Sequence, residues 1–296
     1  MQETLFNFFK KTAELVAGKG LGQLPYASRI YKFFYNGLKP TGIIEVTGDG
    51  HTFYINAADT GLTPPLLMHG EFAPTETALF KKLLQPGMVF VDIGANIGFF
   101  TLLAARAVGN TGKVYAFEPG EEHFILLEKN AQKNEYTNII TVKKAASDSI
   151  GTASFYLQND NLCAHSLLPD ESSTEVTVET TTLDEYFKTN NKVDVIKVDV
   201  EGAEPKVMAG MKQVIAANHK MALLTEFFPD ALRESGIDPR SYLQDIIDLG
   251  FMLYRVDEDL QKNLSRITVD MLPAISKGEG IHKLINILCL KNWELT

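Results

Sequence analysis

The 296-residue sequence predicts an α/β protein built on one open, mostly parallel sheet. From Met88 onward, short apolar segments alternate with segments of helical periodicity, a pattern typical of parallel strands covered by helices on both faces. The first apolar segment, at 88–93, leads through a glycine-containing turn into a helix. The second, at 113–117, ends in Glu118, twenty-six positions beyond Asp92. Strand, glycine turn, helix, strand and acid together indicate a nucleoside-binding βαβ unit.

The remaining core elements follow from the same alternation. Strands are predicted at 88–93, 113–117, 139–144, 193–199 and 221–227, and helices at 98–108, 121–134, 204–217 and 239–249. Alternating segments at 152–157 and 175–181 predict an antiparallel excursion between the third and fourth core strands. Segments 251–256 and 284–290 predict an antiparallel hairpin at one edge of the sheet.

The N-terminal part has a different organisation. Residues 1–40 predict two helices interrupted at 18–25, and the first has an apolar face that suits packing on the domain or, alternatively, contact with a membrane or partner. Next come a predicted β-hairpin around Gly48-Asp49-Gly50-His51, a loop at 60–74 with three prolines, and a helix at 75–84. We therefore expect two parts, an extension of helices and hairpin at 1–80 packed on a core domain at 81–296.

Composition limits the partners and the compartment. The formal charge is 28 − 37 = −9, which argues against a nucleic-acid partner because no excess of Lys and Arg is available to neutralise phosphates. Two cysteines, Cys163 and Cys289, are too few for a disulfide framework and favour a reducing compartment. The sequence shows neither a transmembrane segment nor the layout of a cleavable signal, so a cytoplasmic location is expected.

The glycine turn indicates which kind of nucleoside cofactor is expected. Its pattern, Gly94-Ala95-Asn96-Ile97-Gly98, is not the G-x-G-x-x-G of a pyrophosphate cradle, although Asn96 tolerates a left-handed backbone. A cofactor without phosphates fits better, and S-adenosylmethionine is the expected one. Glu118 has two oxygens that can accept from both hydroxyls of a ribose. The alternative role for Glu118 is that of a solvated acid capping a helix.

Five segments in order carry a resemblance to a known family. They are VDIGANIGFFTLLAA at 91–105, FEP at 117–119, TTLDEY at 181–186, IKVDVEGAE at 196–204 and LLTEF at 223–227. From about residue 71 to 290 the sequence resembles the FkbM-type methyltransferases, which use S-adenosylmethionine. The resemblance implies a Rossmann-like class I methyltransferase fold, with seven strands in the order 3-2-1-4-5-7-6. It also implies methylation, usually on oxygen, of a small molecule, sugar or glycan.

The candidate cofactor-binding residues lie where the strands end, since ligands of open α/β sheets bind outside the carboxyl ends. They are Asp92, Gly94, Asn96, Gly98, Glu118, Pro119, Ala146, Ser147 and Asp199. The glycines allow the backbone to approach a ligand closely. Small residues at 145–147 leave room for an adenine ring, although a purely structural role is the alternative there.

Three acids at neighbouring strand ends are the catalytic candidates: Asp199, Glu201 and Glu226. Placing like charges together is costly, which favours a function. Two roles remain open, because the acids could accept a proton from the acceptor hydroxyl or bind a divalent cation through their oxygens. A cation is therefore possible, and no metal ligands are assigned. His165 or Ser166 could contact the acceptor or cofactor, or simply be polar loop residues, whereas His123 is expected to be an ordinary helix residue.

Other classes of protein fit the sequence less well. A nicotinamide-dependent oxidoreductase lacks support from the glycine spacing. A non-catalytic module of the same fold would be expected to lose cofactor-site residues, yet Asp92, Gly94, Gly98 and Glu118 are present. Methylation of an amine or a protein side chain remains an alternative to O-methylation. The identity of the acceptor and the oligomeric state do not follow from the sequence.

Overall fold

The computed structural model describes residues 2–16, 27–158, 165–167, 173–190, 192–256, 264–271 and 285–294. Its helices are α1 (Gln2–Val16), α2 (Ala27–Leu38), α3 (Thr63–His69), α4 (Pro74–Leu83), α5 (Phe99–Val108), α6 (Glu121–Lys133), α7 (Leu183–Tyr186), α8 (Glu204–Ala209), α9 (Lys212–Ala217), α10 (Pro229–Glu234) and α11 (Pro239–Asp248). Its strands are β1 (Ile43–Gly48), β2 (His51–Asn56), β3 (Val89–Ile93), β4 (Lys113–Phe117), β5 (Ile139–Val142), β6 (Ala145–Ala146), β7 (Gly151–Leu157), β8 (Thr174–Thr181), β9 (Val195–Val198), β10 (Met221–Phe227), β11 (Met252–Val256), β12 (Ser265–Ile267) and β13 (Ile285–Lys291).

The main sheet has eight strands in the order β12-β11-β13-β10-β9-β3-β4-β5. Strands β10, β9, β3, β4 and β5 pair in parallel, whereas β13 is antiparallel to both β10 and β11. The predicted α/β class and the antiparallel edge hairpin are therefore confirmed. The predicted count of seven strands is wrong, because β12 pairs with β11 as an additional edge strand. Three residues are too few to give a recognisable strand pattern in the sequence.

Both faces of the sheet are covered by apolar packing. In β3, Phe90 belongs to one buried cluster and Val91 to another, because successive side chains of a strand point to opposite faces. In β10, Leu224 and Leu223 divide between the same two clusters. This double burial explains why the core strands are nearly continuous apolar segments in the sequence.

The helices differ from the sequence prediction at Gly210 and in the segment 60–74, and the short helices α7 and α10 were not predicted. The helix predicted at 204–217 is divided into α8 and α9 at Gly210, where a Cβ atom would lie 2.0 Å from the carbonyl oxygen of Ser147. The segment predicted as a loop at 60–74 contains α3. Its prolines occupy the first turn, where no backbone N–H is needed, and Asp59 accepts hydrogen bonds from the N–H groups of Leu62 (2.9 Å) and Thr63 (2.7 Å).

The predicted hairpin of β1 and β2 forms and packs on α6 through two asparagine side chains. Asn130 accepts from the N–H of Tyr54 at 2.6 Å and donates to the carbonyl oxygens of Tyr54 (3.2 Å) and Ile97 (2.8 Å). Asn134 makes the equivalent pair with Thr52, at 3.0 Å to its N–H and 2.7 Å to its carbonyl oxygen. The hairpin is thus hydrogen-bonded to the core helix that follows β4.

The predicted antiparallel excursion is also confirmed, as β7 and β8 pair along their lengths. Strand β6 pairs in parallel with β8, so that the three strands make a separate sheet in the order β6-β8-β7. Cys163 lies outside the described residues, and Cys289 is a free, buried cysteine. None of the helices in the described part of the chain has the length and apolar character needed to cross a membrane.

Candidate functional site

A cavity of about 210 Å³ opens where β3, β4 and β9 end. The predicted site residues that line it are Gly94, Asn96, Glu118, Pro119, Ala146, Asp199, Glu201 and Glu226. Three others, Asp92, Gly98 and Ser147, lie outside its described lining. The structure therefore brings most of the predicted residues to one hollow at the carboxyl edge of the sheet.

The glycine turn is held in a conformation that demands its residue types. Gly94, Asn96 and Gly98 have φ angles of 76°, 51° and 91°, in the left-handed region. A Cβ atom at Gly94 would lie 1.8 Å from the carbonyl oxygen of Asp199, so only glycine allows these two strand ends to approach. A Cβ atom at Gly98 would meet the Leu127 side chain at 2.7 Å, which indicates that Gly98 serves packing against α6.

Glu118 is fixed by backbone groups on either side of it. One carboxylate oxygen accepts from the N–H of Asn96 and the other from the N–H of Gly120, both at 2.8 Å. Burial raises the pKa of Glu118 to about 7, against the effect of these two donors. Because a carboxylate has about four acceptor positions, Glu118 keeps capacity for two more donors from a ligand in the cavity.

Asp92 lies fully buried behind the cavity lining. One of its oxygens accepts from the Thr101 hydroxyl at 2.6 Å, and the other has no hydrogen-bond partner among the described residues. The Lys197 ammonium lies 4.0 Å from that second oxygen. Burial raises the pKa of Asp92, and the Lys197 charge opposes this shift.

Lys197 is a cavity residue that the sequence analysis missed. Only 5% of this β9 residue is exposed, and its ammonium lies 2.7 Å from Asp199 and 5.0 Å from the centre of the Phe100 ring. Burial alone would lower the pKa of Lys197, but the charges of Asp199 and Asp92 outweigh it, and the pKa is raised. The signal was present, since a single lysine interrupts the apolar strand Val-Ile-Lys-Val.

The three predicted catalytic acids converge at the same end of the cavity. Asp199, Glu201 and Glu226 can each place a carboxylate oxygen within 4.8 Å of the others. Burial, followed by the charges of Asp199 and Glu201, raises the pKa of Glu226. Packing around Glu201 and then the charge of Asp199 also raise the pKa of Glu201, although solvent at the mouth of the cavity screens this exposed residue more. The group can take up protons or hold a hard cation.

Two neighbouring histidines also line the cavity, with their rings tilted by 38°. The ring centres of His123 and His165 are 4.8 Å apart, and both rings line the cavity near Phe155. Burial and then His165 lower the pKa of His123 to about 4, and burial lowers that of His165, so both are neutral near pH 7. His123, which was expected to be an ordinary helix residue, lies in α6 and lines the cavity. Ser166 lies behind the lining and donates to the carbonyl oxygen of Glu201 at 2.7 Å.

The N-terminal extension also supplies part of the cavity wall. Leu62 and Phe72, which flank α3, line it together with Phe99 and Phe100 of α5. The Phe72 and Phe99 rings meet edge to face at 5.4 Å. Leu62 was not predicted, because nothing in the local sequence indicates which turn of a separate segment will reach the sheet edge.

The fold and site define a class: an open α/β protein with a glycine turn at the first core strand and an acid at the second, opening on one cavity. Within that class, a family model described as "Methyltransferase FkbM domain" matches residues 92–255, more than half of the chain. The chain belongs to this family, and the resemblance stated from the sequence is confirmed.

Curated relatives match over shorter stretches. The hexuronic acid methyltransferase AglP of Haloferax volcanii is 29% identical over 154 residues, which cover 51% of this chain and 58% of that protein. A probable cobalt-precorrin-6B C(15)-methyltransferase (decarboxylating) of Sulfurisphaera tokodaii is 34% identical over 73 residues, 25% of this chain and 38% of that protein. The chain thus spans less than two thirds of the length of either relative.

Among solved structures, TYW2 of M. jannaschii in complex with AdoMet is similar to this chain with a TM-score of 0.45 and 11% identity. The match covers 85% of this chain and 86% of that one. This likeness is too weak to indicate a function.

Proposed function

We propose that this protein is an S-adenosylmethionine-dependent methyltransferase that methylates a hydroxyl group in the described cavity. The observation that carries the proposal is Glu118, a buried carboxylate held by two backbone N–H groups at the end of the second parallel strand. The family membership and the glycine turn without a phosphate cradle support the same cofactor.

The cofactor is proposed to lie along the cavity between its two ends. Glu118 accepts from the ribose hydroxyls, while Pro119, Ala146 and the His123 ring surround the base. The turn containing Gly94 and Asn96 faces the methionine part. Asp92, Gly98 and Ser147 are proposed to support this site from behind rather than by contact. The division into an extension at 1–80 and a methyltransferase domain at 81–296 is retained as part of the proposal.

When bound, S-adenosylmethionine supplies a methyl group already activated by a positively charged sulfur. The protein then has to align the acceptor oxygen and remove its proton. Lys197 forms an ion pair with Asp199 at 2.7 Å, and the Asp199 carboxylate orients the acceptor hydroxyl. Glu201 takes the proton, because its raised pKa suits a base near neutral pH and its exposure lets it pass the proton to solvent. Glu226 holds a proton near neutral pH and reduces repulsion within the group.

A divalent cation held by Asp199, Glu201 and Glu226 is the second candidate arrangement. The convergence of three carboxylates favours it, whereas the close contact of Lys197 with Asp199 occupies one of the ligand positions. In that arrangement the cation would acidify the acceptor hydroxyl directly. Activity that survives EDTA supports the base mechanism, and loss that Mg²⁺ restores supports the cation.

The acceptor is proposed to be a hydroxyl of a small molecule, sugar or glycan. Support comes from the relative named as a hexuronic acid methyltransferase and from the net charge of −9, which disfavours a nucleic acid. N-methylation of an amine is the alternative.

Calorimetric titration with S-adenosylhomocysteine tests the cofactor, and transfer of labelled methyl groups to panels of glycans, alcohols and amines tests the acceptor. Absence of S-adenosylhomocysteine binding by the full chain would refute the proposed function.

A further inference from the structure

The outer face of the two N-terminal helices exposes large apolar side chains. On α2, Ile30, Phe33 and Phe34 follow the spacing of a single helix face, and Phe33 is 76% exposed. On α1, Phe8 is 72% exposed, and Leu5 lies one turn away. Aromatic side chains with this exposure lose the benefit of burial unless another apolar phase covers them.

The helix pair is nevertheless packed on the rest of the protein. Its inner face buries Phe6 and Tyr35, whose rings meet at 6.1 Å, against Met68 of α3. The Lys10 ammonium also donates to the carbonyl oxygen of Leu67 at 3.0 Å. The exposed phenylalanines therefore lie on the outside of a helix pair whose inner face is already occupied.

The charge of this region is opposite to that of the rest of the protein. Residues 1–40 contain six basic and two acidic residues, 6 − 2 = +4. The other 256 residues carry 22 − 35 = −13. On α2, Lys32 is exposed between Tyr31 and Phe33. Apolar helix faces with basic flanks are typical of helices that lie in the interface of a bilayer.

We propose that the α1–α2 face docks on a lipid bilayer that contains anionic lipids. Phe8, Phe33 and Phe34 enter the boundary between headgroups and acyl chains, while the exposed Lys11 and Lys32 side chains meet the anionic headgroups. Helix α3 supports the docked pair and is flanked by the cavity residues Leu62 and Phe72, so docking holds the cavity close to the bilayer surface. The docking itself requires no step of the proposed methyl transfer.

Flotation of the full chain with vesicles tests the proposal. We expect binding to vesicles of equal parts phosphatidylcholine and phosphatidylglycerol, weaker binding to phosphatidylcholine alone, and a decrease as salt is raised. Replacing Phe33→Ser and Phe34→Ser together should weaken binding by about tenfold or more. Lys32→Glu should weaken binding only to the anionic vesicles. The matched control is Ile150→Ser, which changes a residue 65% exposed before β7 and should leave binding unchanged.

Three results would overturn the proposal: no binding to either vesicle, equal loss in the Ile150→Ser control, or a dimer in sedimentation velocity that the double serine variant dissociates. The last result would assign the face to a second copy of this chain. Circular dichroism and thermal melting establish that each variant folds. If the double variant does not fold, Phe33→Ser alone gives the same comparison.

Discussion

The two ends of the cavity use carboxylates in different ways. At one end, Glu118 stands alone and receives two hydrogen bonds from backbone N–H groups that cannot move independently of the fold. At the other end, Asp199, Glu201 and Glu226 crowd together around one buried ammonium, that of Lys197. The first arrangement gives a fixed acceptor for a ligand's hydroxyls. In the second, burial and mutual repulsion raise the pKa of Glu201 and of Glu226.

The largest effect on the rate is expected at the end of the cavity where Asp199, Glu201 and Glu226 lie. Glu201→Gln should lower kcat by about 10²–10⁴-fold, since it removes the proposed proton acceptor, and should leave binding of S-adenosylhomocysteine nearly unchanged. In the wild type, the rate should rise with pH as Glu201 loses its proton, and the variant should lose this rise. Steady-state kinetics across pH measure both. The control is Glu234→Gln, which changes an exposed residue at the end of α10. A wild-type rate in Glu201→Gln would contradict the role of Glu201 as the proton acceptor.

Removing the Lys197 ammonium, which lies beside Asp199, should affect stability as well as rate. Lys197→Met should lower the free energy of unfolding by about 3–5 kcal/mol, because it leaves Asp92 buried without its counter-charge. The rising limb of the pH–rate profile should also move to higher pH. Urea denaturation measures the first effect and kinetics the second. Adding Asp92→Asn should recover part of the stability, whereas simple addition of the two losses would contradict the pairing.

At the end of the cavity where Glu118 lies, the expected effect is on cofactor binding. Glu118→Ala should weaken the binding of S-adenosylhomocysteine by about a hundredfold, because two hydrogen bonds to a charged group are lost. Calorimetry gives the Kd directly. Glu121→Ala, an exposed acid in the first turn of α6, should bind like the wild type. An unchanged Kd in Glu118→Ala would show that this carboxylate does not contact the cofactor.

The smallest expected effect is on the pH dependence of the free energy of unfolding, and it distinguishes Glu118 from the three acids at the other end of the cavity. Because the pKa of Glu118 is raised to about 7 in the folded state, its neutral form is favoured, and the stability it contributes is present below its ordinary pKa and lost as pH rises through about 7. Between about pH 5.5 and about pH 7 the ligand-free protein should lose about 1–2 kcal/mol that Glu118→Gln retains. Thermal melts of both proteins across this range test the sign, and parallel curves would contradict it.

The strand ends were predictable from the sequence because periodicity and glycine position are local properties. Glu118 and Asp199 each follow directly on an apolar strand, and parallel strands bring such positions to one edge. The convergence of Glu201 with Glu226 follows from the pairing of β9 with β10.

What the sequence did not predict depends on contacts between distant segments. Lys197 is stabilised by Asp92, which lies more than a hundred residues earlier, and His123 reaches the cavity only because α6 passes beside the excursion. The break at Gly210 arises from the approach of the Ser147 carbonyl oxygen, which no local pattern encodes. Local sequence patterns therefore predicted the positions of the carboxylates, whereas contacts between distant segments determine which groups shift their pKa values.

The amide side chains of Asn130 and Asn134 have a consequence for solubility. Strand β2 pairs with β1 along one edge, and its other edge would present unpaired backbone groups to any passing strand. The two asparagines engage the N–H and carbonyl groups of Thr52 and Tyr54 along that edge, as a neighbouring strand would. The outer edge of the β1–β2 hairpin is thereby hydrogen-bonded without a third strand, which protects it from pairing with a strand of another molecule.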